Sequence, residues 1–211
     1  MERIDIILAE LDRLFPDAHC ELNYSTPLEL AIAVMLSAQT TDKSVNKLTK
    51  SLFNKYTCVE DYANASLSEL EADLHTIGLY RNKARNIKNM CIRLIDDFDG
   101  QLPSDRTSLE SLPGIGRKSA NVILSEVYHV PALAVDTHVE RISKRLGLAD
   151  EDDSVLMVEK KLTSLIPKER WIKTHHQLIF FGRYHCKAQK PLCKECHLYD
   201  LCLEEKRKNI A

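Results

Sequence analysis

The chain has 211 residues, 44% of them apolar and 28% charged, with a formal net charge of −2. It can bury a sizeable core as one large domain or two small ones, and it is not a protein that coats nucleic acid by bulk positive charge, although a local basic face remains open to it. The longest apolar run, Ala31 to Leu36, is far too short for a membrane span, and the acids in Met1-Glu2-Arg3-Ile4-Asp5 do not suit a secretory signal.

In chain order, the glycines and prolines fall between apolar-periodic runs, and no stretch sustains period-two alternation. The prediction is an all-α protein of about ten helices. The first helix spans Ile4 to Phe15, with Ile4, Ile7, Leu8, Leu11 and Phe15 on one face. Thr26, Pro27 and Glu29 read as a capping box with proline at the first helical position. The body that follows, Leu28 to Ala38, is apolar almost all round, so it is expected to be the buried central helix. A third helix carries Val45, Leu48 and Leu52, and Ser66 with Glu69 caps a short fourth. A helix from about Asn82 to Asp96 turns Ala84, Ile87, Cys91 and Leu94 inward, with Arg81, Lys83, Arg85 and Lys88 on its outer face. Thr107 and Glu110 are expected to cap a single turn before a glycine hairpin, and a helix from about Arg117 to Tyr128 follows it. Asp136–Leu146, Ser154–Leu165 and Lys168–Phe181 complete the series, and the charged tail after Cys202 is expected to fray.

Three features carry chemistry. The first is Leu112-Pro113-Gly114-Ile115-Gly116-Arg117-Lys118. Gly114 and Gly116 allow a tight turn and close backbone approach, and the unpaired N–H groups at the start of the next helix suit a phosphate. Lys118 stands in that helix's first turn. An amine at the positive end of a helix dipole is better placed as a nucleophile than a surface lysine, while its plainer reading is a phosphate contact. The second is Asp136, a lone carboxylate between Leu133-Ala134-Val135 and Thr137-His138. It is a natural N-cap, and a cap is held rigidly enough to stabilise the oxocarbenium-like charge of a breaking glycosidic bond. The third is Cys186-x6-Cys193-x2-Cys196-x5-Cys202. Seven cysteines, an odd number without a signal segment, indicate a reducing compartment rather than a disulfide scaffold. Four thiols in one loop indicate a metal site. Structural zinc usually takes two close pairs, and only one is present, so the spacing leans toward an iron–sulfur cluster without deciding it. His185 and His197 flank the loop as alternative ligands or as surface histidines.

Taken together, Leu112 to Leu124, Val135-Asp136-Thr137-His138 and the cysteine spacing closely resemble the endonuclease III family of DNA-repair glycosylases, over essentially the whole chain. The resemblance implies a bifunctional enzyme of base-excision repair. It would remove oxidised pyrimidines and then nick the strand 3′ to the abasic site as an AP lyase. It implies Lys118 as nucleophile, Asp136 as catalytic carboxylate, and a [4Fe–4S] cluster on Cys186, Cys193, Cys196 and Cys202. It implies two all-α domains with DNA across the groove between them. Residues 20–130 would form a six-helix domain with the helix-hairpin-helix at about 108–128, and 1–19 with 131–211 the cluster domain. Gln39 resembles the residue that fills the gap left by a flipped nucleotide, and Leu79 the wedge that opens the stack. Their plainer readings are a helix-end cap and a core leucine. Gly114, Gly116, Arg117, His138 and Lys190 would add further DNA contacts. Arg81, Lys83, Arg85, Lys88, Arg183, Lys187 and Lys194 are candidate phosphate contacts, and Gln189 and Leu192 stand where a relative often has arginine. The expected partner is double-stranded DNA with a damaged base or abasic site, met by a monomer in the cytoplasm at the nucleoid. Adenine- and thymine-mismatch glycosylases are disfavoured because they lack the nucleophilic lysine. The adenine enzymes also carry a glutamate where this chain has Val34, and a further C-terminal domain that is not expected here. A non-catalytic DNA-binding module would need neither Lys118 nor Asp136.

Overall fold

A computed structural model describes residues 2–204. The expected fraying falls largely on residues 205–211, outside the described residues. Eleven α-helices occur among the described residues: α1 (Arg3–Leu14), α2 (Pro27–Leu36), α3 (Asp42–Lys55), α4 (Val59–Asn64), α5 (Leu67–Leu74), α6 (Tyr80–Phe98), α7 (Arg106–Ser111), α8 (Arg117–Tyr128), α9 (Thr137–Arg145), α10 (Val155–Leu165) and α11 (Trp171–Phe180). No strand occurs among the described residues. The chain divides into two compact units. One is Glu21–His129; the other joins the segment through Cys20 to the segment from Val130 onward.

In the 21–129 unit, α2 is the core. Leu30 to Leu36 are all buried, because every face of the helix meets a neighbour: α2 packs against α3, α6 and α8. Burying each large aliphatic side chain contributes about 1.5–3 kcal/mol. Thr26 caps α2 by accepting from the Glu29 N–H at 3.2 Å. The returning bond differs from the expected box: the Glu29 carboxylate accepts from the Ser25 N–H, one residue upstream of the cap. The Ser66–Glu69 box on α5 is complete, with bonds of 3.2 and 3.0 Å. Helix α4 has no counterpart in the sequence reading, since six residues are too short for a 3.6 period to show. Asp61 holds its start by accepting from the Thr57 and Cys58 N–H groups, and its Tyr62 is buried in a stack on Tyr56 at 4.8 Å. Helix α7 also starts earlier than Thr107. Asp105, a better N-cap than threonine, accepts from the Ser108 N–H at 2.9 Å, and Glu110 instead pairs with Arg106 at 3.8 Å.

In the other unit, Ile4, Ile7, Leu8 and Leu11 of α1 share a core with Val139 and Ile142 of α9, Val158 and Leu162 of α10, Leu178 of α11, and Phe181. The expected helix Lys168–Phe181 resolves into a 3-10 turn at Lys168–Arg170, α11, and a π-helical turn at Phe181–His185. The π turn has a packing cause. A Cβ on Gly182 would come within 2.9 Å of the His138 Cβ, so α9 and this segment approach as only glycine permits. The extra residue in the turn brings the Cys186 N–H onto the Phe181 carbonyl at 2.7 Å.

Candidate functional site

The glycine hairpin lies between α7 and α8. Leu112 and Ile115 are buried and anchor it from below. Gly114 has φ +83°, and a Cβ there would meet the Met35 sulfur at 2.5 Å and the Asn86 Cβ at 2.9 Å, so the turn is pressed onto α2 and α6. Gly116 is the N-cap of α8 and offers no side chain to its N–H groups. Nothing lies within 4 Å of where its Cβ would be, which leaves the start of α8 open to a ligand. Arg117 is exposed there. Lys118 is half-buried and has no hydrogen-bond or ion-pair partner among the described residues. Opposite faces of one helix therefore do separate work: Ala120, Ile123 and Leu124 go to the core, while the first turn stays available.

Gln39 and Leu79 share an unusual backbone. Both are exposed and both adopt left-handed conformations, at φ 55° and 59°. For side chains with a Cβ this is strain that the surroundings must hold in place. Leu79 is 51% exposed, so it is not a core leucine. Gln39 lies just past α2, and Leu79 is the N-cap of α6.

The outer basic face expected on α6 is corrected at two positions. Lys83 is buried, and its Nζ donates to the Leu36 carbonyl at 2.9 Å, the Ala38 carbonyl at 2.7 Å and the Thr40 hydroxyl at 3.0 Å. Lys88 is half-buried and donates to the Ala63 and Ala65 carbonyls in the last turn and C-cap of α4. Both stems run along apolar surface while the ammonium satisfies orphan carbonyls at a helix end. Arg81 and Arg85 remain exposed, and Arg81 lies over the Tyr80 ring at 4.9 Å.

In the other unit, Asp136 is the N-cap of α9. One oxygen, Oδ1, accepts from the His138 N–H at 2.9 Å and the Val139 N–H at 2.8 Å, which leaves Oδ2 without a partner among the described residues. The buried run Ala132 to Val135 fixes the approach to it. His138 is half-buried against Gly182, with Nδ1 3.3 Å from the Arg141 guanidinium. Burial of its ring, outweighing the opposite pull of Asp136, holds its pKa below the ordinary histidine range.

Two arginines one turn apart on α9 then hold the cysteine loop, and the sequence reading missed both. Arg141 donates to the Gly182 carbonyl at 2.9 Å and the Cys186 carbonyl at 3.3 Å. Arg145, 9% exposed, donates to the Cys186 Sγ at 3.3 Å and the Lys187 carbonyl at 3.2 Å. Their i, i+4 spacing on a helix that begins at Asp136 was the available signal. Cys186, Cys193, Cys196 and Cys202 are all partly buried. Burial pushes the Cys196 thiol up to about 11, and the charges of Cys186, Cys193 and Cys202 add to it. No three ligand side chains converge on a single ion among the described residues. His185 is buried and stacks on Phe181 at 5.0 Å, so it is not a surface histidine; His197 is exposed, 3.5 Å from Glu10. Lys190 is exposed, with φ 49°.

Comparison with known proteins places these features in context. Residues 32–168 match the HhH-GPD superfamily base excision DNA repair protein family. The chain is 54% identical to endonuclease III of Bacillus subtilis (strain 168) over 209 residues, covering 99% of this chain and 95% of that one. It is 42% identical to endonuclease III of Escherichia coli (strain K12), covering 97% and 96%. Among solved structures, it is similar to a non-covalent endonuclease III–DNA complex (TM-score 0.96, 57% identity, 100% of each chain). It is also similar to a trapped endonuclease III–DNA covalent intermediate, an estranged-adenine complex (TM-score 0.95, 57% identity, 99% of each chain). No helix among the described residues is long and apolar enough to cross a membrane.

Proposed function

The chain belongs to the endonuclease III family of HhH-GPD DNA-repair glycosylases, and from that premise we propose how its residues carry out the reaction. The protein is a bifunctional DNA glycosylase and AP lyase of base-excision repair acting on oxidised pyrimidines. The hairpin N–H groups around Gly114 and Gly116, with Arg117, hold a phosphate of double-stranded DNA. Gln39 and Leu79 occupy the stack once the damaged nucleotide is extruded, and His138 and Lys190 add contacts along the backbone. The Lys118 amine forms a bond to C1′ as the N-glycosidic bond breaks, and the base leaves with that electron pair and takes up a proton. Loss of the sugar ring oxygen from C1′ gives a Schiff base. A C2′ proton is then lost and the C3′–O bond breaks, which nicks the strand 3′ to the abasic site. Water finally releases the lysine. The Asp136 carboxylate stabilises the positive charge that develops at C1′ and accepts a proton from the attacking amine. The single observation that carries this reading is a lysine without a partner directly behind an uncapped helix start.

The same reading assigns Cys186, Cys193, Cys196 and Cys202 to a [4Fe–4S] cluster. The donor set fits: four partly buried thiols lie in one short loop, with the Arg145 guanidinium 3.3 Å from the Cys186 Sγ, and thiolates are what such a cluster takes. When bound, the cluster fixes this loop and supplies no step of the reaction. The cluster-bearing unit is the one that joins the segment through Cys20 to the segment from Val130 onward, and the protein works as a monomer at the nucleoid in a reducing cytoplasm. The test is borohydride trapping on an abasic-site duplex. Wild type is expected to give a covalent adduct and Lys118→Ala none; an undiminished adduct in Lys118→Ala overturns the assignment. Iron and acid-labile sulfide in equal amounts, with a broad visible absorption band, are expected for the purified protein; zinc without iron overturns the cluster.

A further inference from the structure

Lys83 is the most conspicuous charged group that the reaction leaves unused. It is 5% exposed, and among the described residues it has no carboxylate partner. Burial pulls its pKa down, which measures the cost of keeping an ammonium there. An apolar side chain would fill the same inward position in the first turns of α6 without that cost. What an apolar side chain cannot do is donate three hydrogen bonds.

Where those bonds go is specific. Two acceptors, the Leu36 and Ala38 carbonyls, precede Gln39, and the third, the Thr40 hydroxyl, follows it. Gln39 itself is exposed at φ 55°. Left-handed backbone at a residue with a Cβ is strained and persists only where neighbours over-determine it. The same lysine sits in the first turn of α6, the helix that Leu79 caps, and its backbone N–H makes the ordinary first helical bond to the Leu79 carbonyl at 3.0 Å. The ammonium therefore bonds to the chain on both sides of Gln39 from the turn of α6 that directly follows Leu79.

We propose that Lys83 is a positioning residue, a buried clasp whose ammonium holds the backbone of Gln39 in its left-handed conformation and ties it to the helix that Leu79 caps, so that both side chains enter the DNA stack together. This rests on the reading of Gln39 as gap filler and Leu79 as wedge. The lysine touches neither DNA nor the reacting atoms. It acts through the two loops, and what it controls is extrusion of the damaged nucleotide.

The test is a mutant cycle in the full-length holoenzyme with wild type, Lys83→Met, the double variant Gln39→Ala/Leu79→Ala, and the triple variant. Two quantities are read. One is single-turnover excision of an oxidised pyrimidine from duplex DNA. The other is the fluorescence of 2-aminopurine opposite the lesion, which rises when the estranged base unstacks and which a loss of global stability does not mimic below the melting range. Lys83→Met is expected to slow excision about 10- to 100-fold, the scale of a displaced positioning group. It is expected to abolish the fluorescence rise and to add nothing in the Gln39→Ala/Leu79→Ala background. A wild-type rate and fluorescence rise in Lys83→Met overturns the proposal, as does an equal slowing in both backgrounds. A Gln39→Ala/Leu79→Ala protein as active as wild type instead removes the filler-and-wedge reading on which the proposal rests. Should Lys83→Met not fold, Thr40→Val, which removes one of the three acceptors and keeps the lysine, takes its place in the cycle: it is expected to lower both readouts in the wild-type background alone, and wild-type values of both overturn the proposal.

Discussion

At the scale of the residue, the recurring device is a side chain held at one end and available at the other. Asp136 spends Oδ1 on two N–H groups of α9 and leaves Oδ2 open. Asparagine is as good an N-cap as aspartate but carries no charge. Asp136→Asn is therefore expected to keep the thermal midpoint near that of wild type while slowing base excision about 10²–10⁴-fold, the range for a lost acid–base or charge-stabilising group. Melting curves and single-turnover rates on the same preparations check this together, and a collapsed midpoint would show that the cap, not the charge, was lost. Lys83 and Lys88 are the residues that sequence reasoning misplaced. A lysine on a helix looks the same on paper whether its ammonium meets water or a neighbouring helix's carbonyls. Only the position of α2 and α4 against α6 distinguishes the two.

At the scale of the element, the two hairpin glycines are required for different reasons. Gly114 combines φ +83° with a blocked Cβ position, while Gly116 sits at an ordinary φ of −98° before open space. Gly114→Ala is expected to destabilise the protein by about 1–3 kcal/mol, as overpacking and left-handed strain do. Gly116→Ala is expected to stay within about 0.5 kcal/mol of wild type. Its added methyl nonetheless stands before the N–H groups of α8, so its affinity for an abasic-site duplex is expected to fall at fixed salt while its melting temperature holds. Denaturant melts and binding titrations separate the two. The helix after this hairpin was legible to the residue, Arg117 to Tyr128, because its apolar stripe agrees with the glycines before it and Pro131 after it. Helix α4 and the π turn were not. The first is shorter than two helical periods, and the second depends on how closely Gly182 approaches His138.

At the scale of the whole molecule, one unit is built from both ends of the chain, and Asp12 of α1 is where they are tied. Burial disfavours its charge, but hydrogen bonds from Gln177, Lys173 and Arg170 outweigh that and hold its pKa at about 2, below the ordinary 3.8. A carboxylate depressed in the folded state adds stability that is complete above its unfolded pKa and is lost as pH falls through the folded one. Asp12→Asn is therefore expected to melt below wild type at pH 7, with the gap closing as pH is lowered from about 4 to about 2. A pH-independent gap in a series of thermal melts would show that the tie is not electrostatic. By itself the sequence determined the all-α class, most helix positions and the capping residues Thr26, Ser66 and Asp136, because periodicity and caps are local physics. It also drew attention to the glycine hairpin and the four cysteines, whose spacing is local too. Tertiary structure alone decided which lysines of α6 are buried, that Leu79 is exposed, and that Arg141 and Arg145 grip the cysteine loop. Each of these depends on which helix end lies opposite a side chain, and that is set by packing between segments tens of residues apart.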